Sequence, residues 1–98
     1  MPHCISFNRP IIDEYLVPVA EAFKLPFKDA DNATSATINR VNELIDKLGI
    51  PTRLRDVGVP RKGLQLIAEA SMEDPSIQTN LKPIKSKEQL IGILEQAW

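Results

Sequence analysis

The sequence predicts an all-α protein, a bundle of about four to five helices, on three observations. Apolar residues recur at three- and four-residue steps in four segments. No stretch alternates with period two for long enough to make a strand. Glycine, proline and capping residues stand where those segments would start and stop. A chain of 98 residues can bury one small core, so residues 1–98 are expected to form a single helical domain.

In the first segment Ile11, Ile12, Tyr15, Leu16, Val19, Ala20 and Phe23 share one helical face. Pro18 falls inside it, where a missing N–H and a clash with the carbonyl four residues earlier predict a single helix kinked at that point. The second segment sets Ile38, Val41, Leu44, Ile45 and Leu48 against Asn39, Arg40, Asn42, Glu43, Asp46 and Lys47. Several residues between Asp29 and Ser35 could cap its start. Gly49 can take the left-handed conformation that closes a helix, and Pro51 forbids resumption. The third segment starts at Pro60, a favoured first-turn residue, and presents Leu64, Ile67, Ala68, Ser71 and Met72. A polar loop from Glu73 to Lys85 follows. The last segment opens on Ser86-Lys87-Glu88-Gln89, a capping box in which the serine hydroxyl would accept from the backbone of residue 89 while the glutamine reaches back. Leu90, Ile91, Leu94, Ala97 and Trp98 form its buried stripe.

Twelve Lys and Arg against thirteen Asp and Glu give a net charge of -1, which supplies no global field for nucleic acid or an anionic membrane. The apolar runs are far below membrane-spanning length. One cysteine makes no internal disulfide, and Met1-Pro2-His3 is unlike the start of a secretory signal, so a cytoplasmic protein is expected, binding neither nucleic acid nor membrane.

Chemistry-bearing motifs are scarce. There is no HExxH, no cysteine pair, no phosphate-cradling glycine loop and no nucleophile elbow. His3 and Cys4 could both ligate a metal, but adjacent helical side chains point about 100° apart and two ligands fall short of a closed site. Arg53, Arg55, Arg61 and Lys62 form the one basic cluster. Their connection is too long and proline-broken for a helix-turn-helix, so solvated charges or salt links between helices are expected instead. The neighbouring carboxylates Asp13-Glu14 and Glu73-Asp74 are placed to favour helix N-termini rather than to converge on one substrate atom.

Three motifs in register carry a resemblance. Met1 to Asn8, MPHCISFN, matches at Pro2, His3, Phe7 and Asn8 a segment of leucine, proline, histidine and then phenylalanine and asparagine, with Met1 at the leucine. KLGIPTRLRDVGVP, Lys47 to Pro60, matches an inter-helix connection almost without change. Asp74 to Asn80, DPSIQTN, matches a loop of aspartate, proline, cysteine, two variable residues, threonine and asparagine, and the chain ends in Ala97-Trp98. Together these resemble the C-terminal helical domain of the iron-containing (group III) alcohol dehydrogenases, the α-domain of the dehydroquinate synthase-like fold.

The resemblance implies an NAD(P)-dependent oxidoreductase that moves hydride between a nicotinamide and a small alcohol or aldehyde, with an iron or zinc ion polarising the alcohol oxygen. It also implies that the one aspartate and three histidines holding that metal, and the nucleotide-binding glycines, lie upstream of Met1. His3 is not among the ligands. No catalytic, cofactor-binding or metal residue is therefore expected within the chain, and no cofactor for the chain alone. Ser76, standing where the family has cysteine near the substrate entrance, is the one candidate pocket-lining residue. A residue capping a turn is the plainer reading of it. Leu81 and Lys82 replace the usual proline and arginine. The expected partner is the remainder of the dehydrogenase, with self-association through apolar surface which that remainder would cover. The alternative is an independent helical interaction module without catalysis.

Overall fold

The computed structural model describes residues 1–98 and is helical throughout, with no strand: α1 (Pro2–Phe7), α2 (Asp13–Ala22), α3 (Ala30–Lys47), α4 (Leu64–Met72) and α5 (Lys87–Ala97). Three short 3₁₀ turns, Leu54–Val57, Arg61–Gly63 and Pro75–Thr79, interrupt the connections. The chain divides into two compact units, Met1–Ile50 and Pro51–Trp98.

In the first unit α2 packs along α3, and α1 also touches α3. The buried residues on these helices are small or polar: Ala20 on α2, and Ala33, Thr34 and Thr37 on α3. Thr34 tolerates burial because its hydroxyl donates to the Ala30 carbonyl at 3.2 Å, a bond within its own helix. The aliphatic stripe of the second segment, Ile38 to Ile45, is only half-buried, and Leu48 is 71% exposed. The reason is length. At about 1.5 Å per residue, the 10 residues of α2 cannot cover the 18 of α3, so the tight contact gathers on the N-terminal half.

Boundaries in the first unit shift where tertiary bonds compete with periodicity. α2 runs unbroken through Pro18. It begins at Asp13, leaving Ile11 and Ile12 in the preceding turn, and Tyr15, expected on the buried face, is 66% exposed. What holds this turn is Arg9. Its Nε lies 3.3 Å from Oδ1 of Asp13, and its two terminal nitrogens donate to the Asp31 carboxylate, to the Asp31 carbonyl at 2.9 Å and to the Ser35 hydroxyl at 3.2 Å. Asp13 is only 6% exposed. One guanidinium thus joins the entry of α2 to the first turns of α3.

Helix ends follow a common rule. Asp29 caps α3, its carboxylate accepting from the Asn32 amide at 2.8 Å. At the other end Gly49 has φ 65°, its amide donates to Asp46, and the Ile50 amide reaches back to Ile45, the paired bonds of a Schellman closure. Gly58, with φ 84°, closes the 3₁₀ turn Leu54–Val57 in the same way, through bonds to Arg55 and, from Val59, to Leu54. α2 ends identically, with Lys24 amide to Glu21 and Leu25 amide to Ala20, but Lys24 is not glycine and sits at φ 55°. A Cβ there meets the following carbonyl oxygen, at a cost of about 1–2 kcal/mol.

The second unit is built on α4 against α5, with Leu64, Ala68 and Leu90 buried. Pro60 does not open α4 directly. It precedes the 3₁₀ turn Arg61–Gly63, closed by the Gly63 amide on the Pro60 carbonyl at 2.8 Å, and α4 follows from Leu64. The capping box at Ser86 forms by half. The Ser86 side chain makes no cap bond, and the Gln89 side chain accepts from the Lys85 amide at 2.7 Å, one residue earlier than expected.

Two outcomes follow. Arg9→Met is expected to cost about 2–3 kcal/mol in chemical denaturation followed by circular dichroism, because it strands a buried carboxylate. Adding Asp13→Leu should recover part of that loss, and Asp31→Asn alone, at an exposed partner, should cost under about 1 kcal/mol. Lys24→Gly is expected to stabilise by up to about 1 kcal/mol, whereas Gly49→Ala, into open space but at positive φ, should destabilise by about as much. Effects of the same sign at positions 24 and 49 would contradict the left-handed closures.

Candidate functional site

The 74–80 loop is a self-contained turn. Asp74 precedes the 3₁₀ turn Pro75–Thr79 and accepts from the Ser76 amide at 2.8 Å, while the Thr79 hydroxyl donates to the Ser76 carbonyl at 2.8 Å. Asn80 then donates from Nδ2 to the Lys82 carbonyl at 2.6 Å. The Ser76 amide, then its hydroxyl, hold the Asp74 carboxyl below its ordinary 3.8. Ser76 itself is exposed, and its backbone serves as both donor and acceptor within the turn.

The other candidates separate in space. His3 and Cys4 lie on the six residues of α1, His3 half-buried and Cys4 exposed. No three histidine, cysteine, aspartate or glutamate side chains gather where they could hold a metal ion, so the chain's own residues do not fit the metal that the resemblance implies. Asp13 and Glu14 occupy the first turn of α2, with Asp13 held by Arg9. No helix is long and apolar enough to cross a membrane.

Two cations of the basic cluster are occupied within the second unit. Arg61 makes a two-pronged pair with Glu95 of α5, Nε to Oε1 at 3.2 Å and Nη2 to Oε2 at 2.8 Å, and that carboxylate pushes the guanidinium further toward its charged form. Arg55 and Arg61 both lie over the Trp98 ring, 5.6 and 5.4 Å from its centroid. The indole N–H of Trp98 donates to the Val59 carbonyl at 2.9 Å. Beside this cluster an open cavity of about 410 Å³ is lined by Arg61, Lys62, Leu64, Gln65, Ile91 and Glu95. A second cross-helix pair, Lys87 with Glu69 at 2.9 Å, ties α5 to α4 and raises the Lys87 ammonium above its ordinary value. Of the four cluster residues, Arg61 therefore makes a salt link to α5, while Arg53 and Lys62 are exposed, solvated charges. Arg9 was not singled out by the sequence, where its sole signal was an acidic residue four positions on.

Comparison with known proteins bears on the whole chain. The family described as Fe-containing alcohol dehydrogenase, C-terminal, matches residues 1–98. A probable alcohol dehydrogenase, EutG, of Escherichia coli K12 is 32% identical over 97 residues, covering 99% of this chain and 23% of the relative. Lactaldehyde reductase of the same strain is 26% identical over 100 aligned positions, covering 100% of this chain and 26% of the relative. The chain spans about a quarter of the length of the curated relatives it matches.

The depressed Asp74 carboxyl sets a pH dependence. A carboxyl whose folded pKa lies below its unfolded value contributes at pH above the unfolded value and loses that contribution as pH falls through the folded one. The turn should therefore persist at pH 4 and loosen below the ordinary 3.8. The Ser76 amide resonance, followed by NMR, is expected to titrate with a midpoint under 3.8. A midpoint at or above it would refute the bond's role, and Asp74→Asn should abolish the titration.

Proposed function

This chain belongs to the Fe-containing alcohol dehydrogenase family, and we propose that it serves as the C-terminal helical part of an NAD(P)- and metal-dependent oxidoreductase acting on a small alcohol or aldehyde. The observation that carries the reading is the family match from residue 1 to residue 98. Hydride transfer, the nicotinamide site and the iron or zinc centre belong, on this reading, to polypeptide that the relatives carry beyond the matched quarter. Residues 1–98 supply scaffold, with Ser76 at a pocket wall as their one contribution near substrate. The setting is cytoplasmic, and the chain alone is inactive.

The partner on this reading is the rest of the dehydrogenase. α4 supports it. Leu64 and Ala68 are buried on one side of that helix, while Leu66, roughly opposite them, and Ala70 beside it are exposed. Leu66 is 70% exposed and Ile67 also reaches solvent. Gln65 and Glu69 supply a narrow charged and polar sector, and the Ser71 hydroxyl is turned back on the Ile67 carbonyl, a pattern that belongs to a helix covered on two sides. The same face favours a second reading, an interaction module with a life of its own, and with no other chain present it favours self-association.

The purified 98-residue chain is expected to give no nicotinamide-dependent turnover of propanol or propanediol with iron or zinc added; turnover above a metal-free control would end the scaffold reading. Sizing chromatography should show association rising with concentration and suppressed by Leu66→Lys. A monomer at every concentration would remove the uncovered α4 face from the proposal while leaving the activity result to stand separately.

A further inference from the structure

Trp98 makes three long-range connections, and all of them reach one segment. Its N–H is bonded to the Val59 carbonyl at 2.9 Å, 39 positions earlier in the chain. Its ring is approached by the guanidinium groups of Arg55 and Arg61 at 5.6 and 5.4 Å. Arg61 is in turn fixed by the two-pronged bond to Glu95, one turn before Trp98 on α5. The segment so gripped, residues 55 to 61, has its own backbone closure, from the Gly58 amide to Arg55 and from the Val59 amide to Leu54, but that closure ties it only to itself. It runs from the 3₁₀ turn Leu54–Val57 to the start of the turn Arg61–Gly63, none of its residues is buried, and Val57 stands 60% exposed. The Val59 carbonyl is therefore met by one strong donor, and that donor comes from the far end of α5.

We infer that Trp98 is a clasp: the Gly58 closure shapes the connection from Arg55 to Arg61 locally, and the indole at the end of α5 anchors that connection within the second unit. The N–H fixes the backbone at Val59, the ring receives a cation on either side of that position in sequence, and the Arg61–Glu95 pair orients the second guanidinium over the ring. Release of the indole would free the Arg55 side chain and the Val59 carbonyl and leave the Arg61 side chain held by Glu95 alone. The clasp is thus a conformational device with two grades of grip, one through the N–H and one through the ring.

Limited trypsin digestion of the full chain reads both grades, because cleavage after an arginine requires its backbone to leave the folded arrangement. Trp98→Ala removes one hydrogen bond and two cation–π interactions, so it is expected to speed cutting after Arg55 and Arg61 by about tenfold, while cutting after Lys28 in the other unit keeps its rate. Trp98→Phe keeps an aromatic ring and removes the N–H, so its rates should fall between those of the parent chain and Trp98→Ala. Equal rates in the parent and Trp98→Ala would overturn the clasp. If Trp98→Ala loses its helical dichroism, the parent chain decides the matter. Its indole N–H should exchange with deuterium at least about tenfold slower than that of free tryptophan. Exchange at the free rate would overturn the inference equally.

Discussion

A left-handed residue placed one or two positions past the end of a helical segment is the constraint on which the rest of this structure rests. It recurs at Lys24, Gly49 and Gly58, each time with the same pair of backbone bonds folding the chain back on the turn just completed. The constraint matters because the core is slight. Three of the five buried hydrophobic residues are alanines, and the largest fully buried side chains are Leu64, Thr34 and Thr37. Small side chains allow helices to lie close but bury little area each, so direction is imposed at the ends instead of by interlocking bulk. Lys24 shows how firmly the geometry is required, since it is adopted even where the residue disfavours it.

Charge does in each unit what large aliphatic side chains do elsewhere. Arg9 reaches two aspartates and a serine across 26 residues of sequence, and Arg61 reaches Glu95 across 34. The two differ in burial. Arg9 shields a carboxylate that is almost wholly out of water, which makes it costly to lose one partner. Arg61 and Glu95 are solvated, so their pairing fixes geometry more than it adds stability. Within the cluster of four basic residues only Arg61 meets a carboxylate; Arg55 shares the Trp98 ring with it, and Arg53 and Lys62 are exposed.

Helix identity was legible in the sequence because it rests on local signals. Gly49 before Pro51 marked the end of α3, and Asp29 stood among the caps proposed for its start. Burial was less legible. Ile38 to Leu48 had the stronger apolar period, yet burial fell on Ala33, Thr34 and Thr37, because close approach to a shorter neighbour selects small residues and Thr34 can satisfy its own hydroxyl. The three 3₁₀ turns escaped notice since three to five residues are too few to show a period. For Ser76 the turn-capping reading was available from Asp-Pro-Ser alone, and the bonds at 74 to 79 are those of such a turn. The Trp98–Val59 bond had no local sign at all, as pairings between distant positions leave none in a single sequence.

The placement of the aromatic residues has an optical corollary. The chain has one tryptophan and one tyrosine, and they fall in different units: Trp98, half-buried and bonded, in Pro51–Trp98, and Tyr15, largely in water, in Met1–Ile50. Emission excited in the indole band therefore reports the surroundings of α5 and is blind to the Arg9 network. A melting curve recorded that way describes half a molecule, and a second signal drawn from the backbone is needed before the two halves can be said to unfold together.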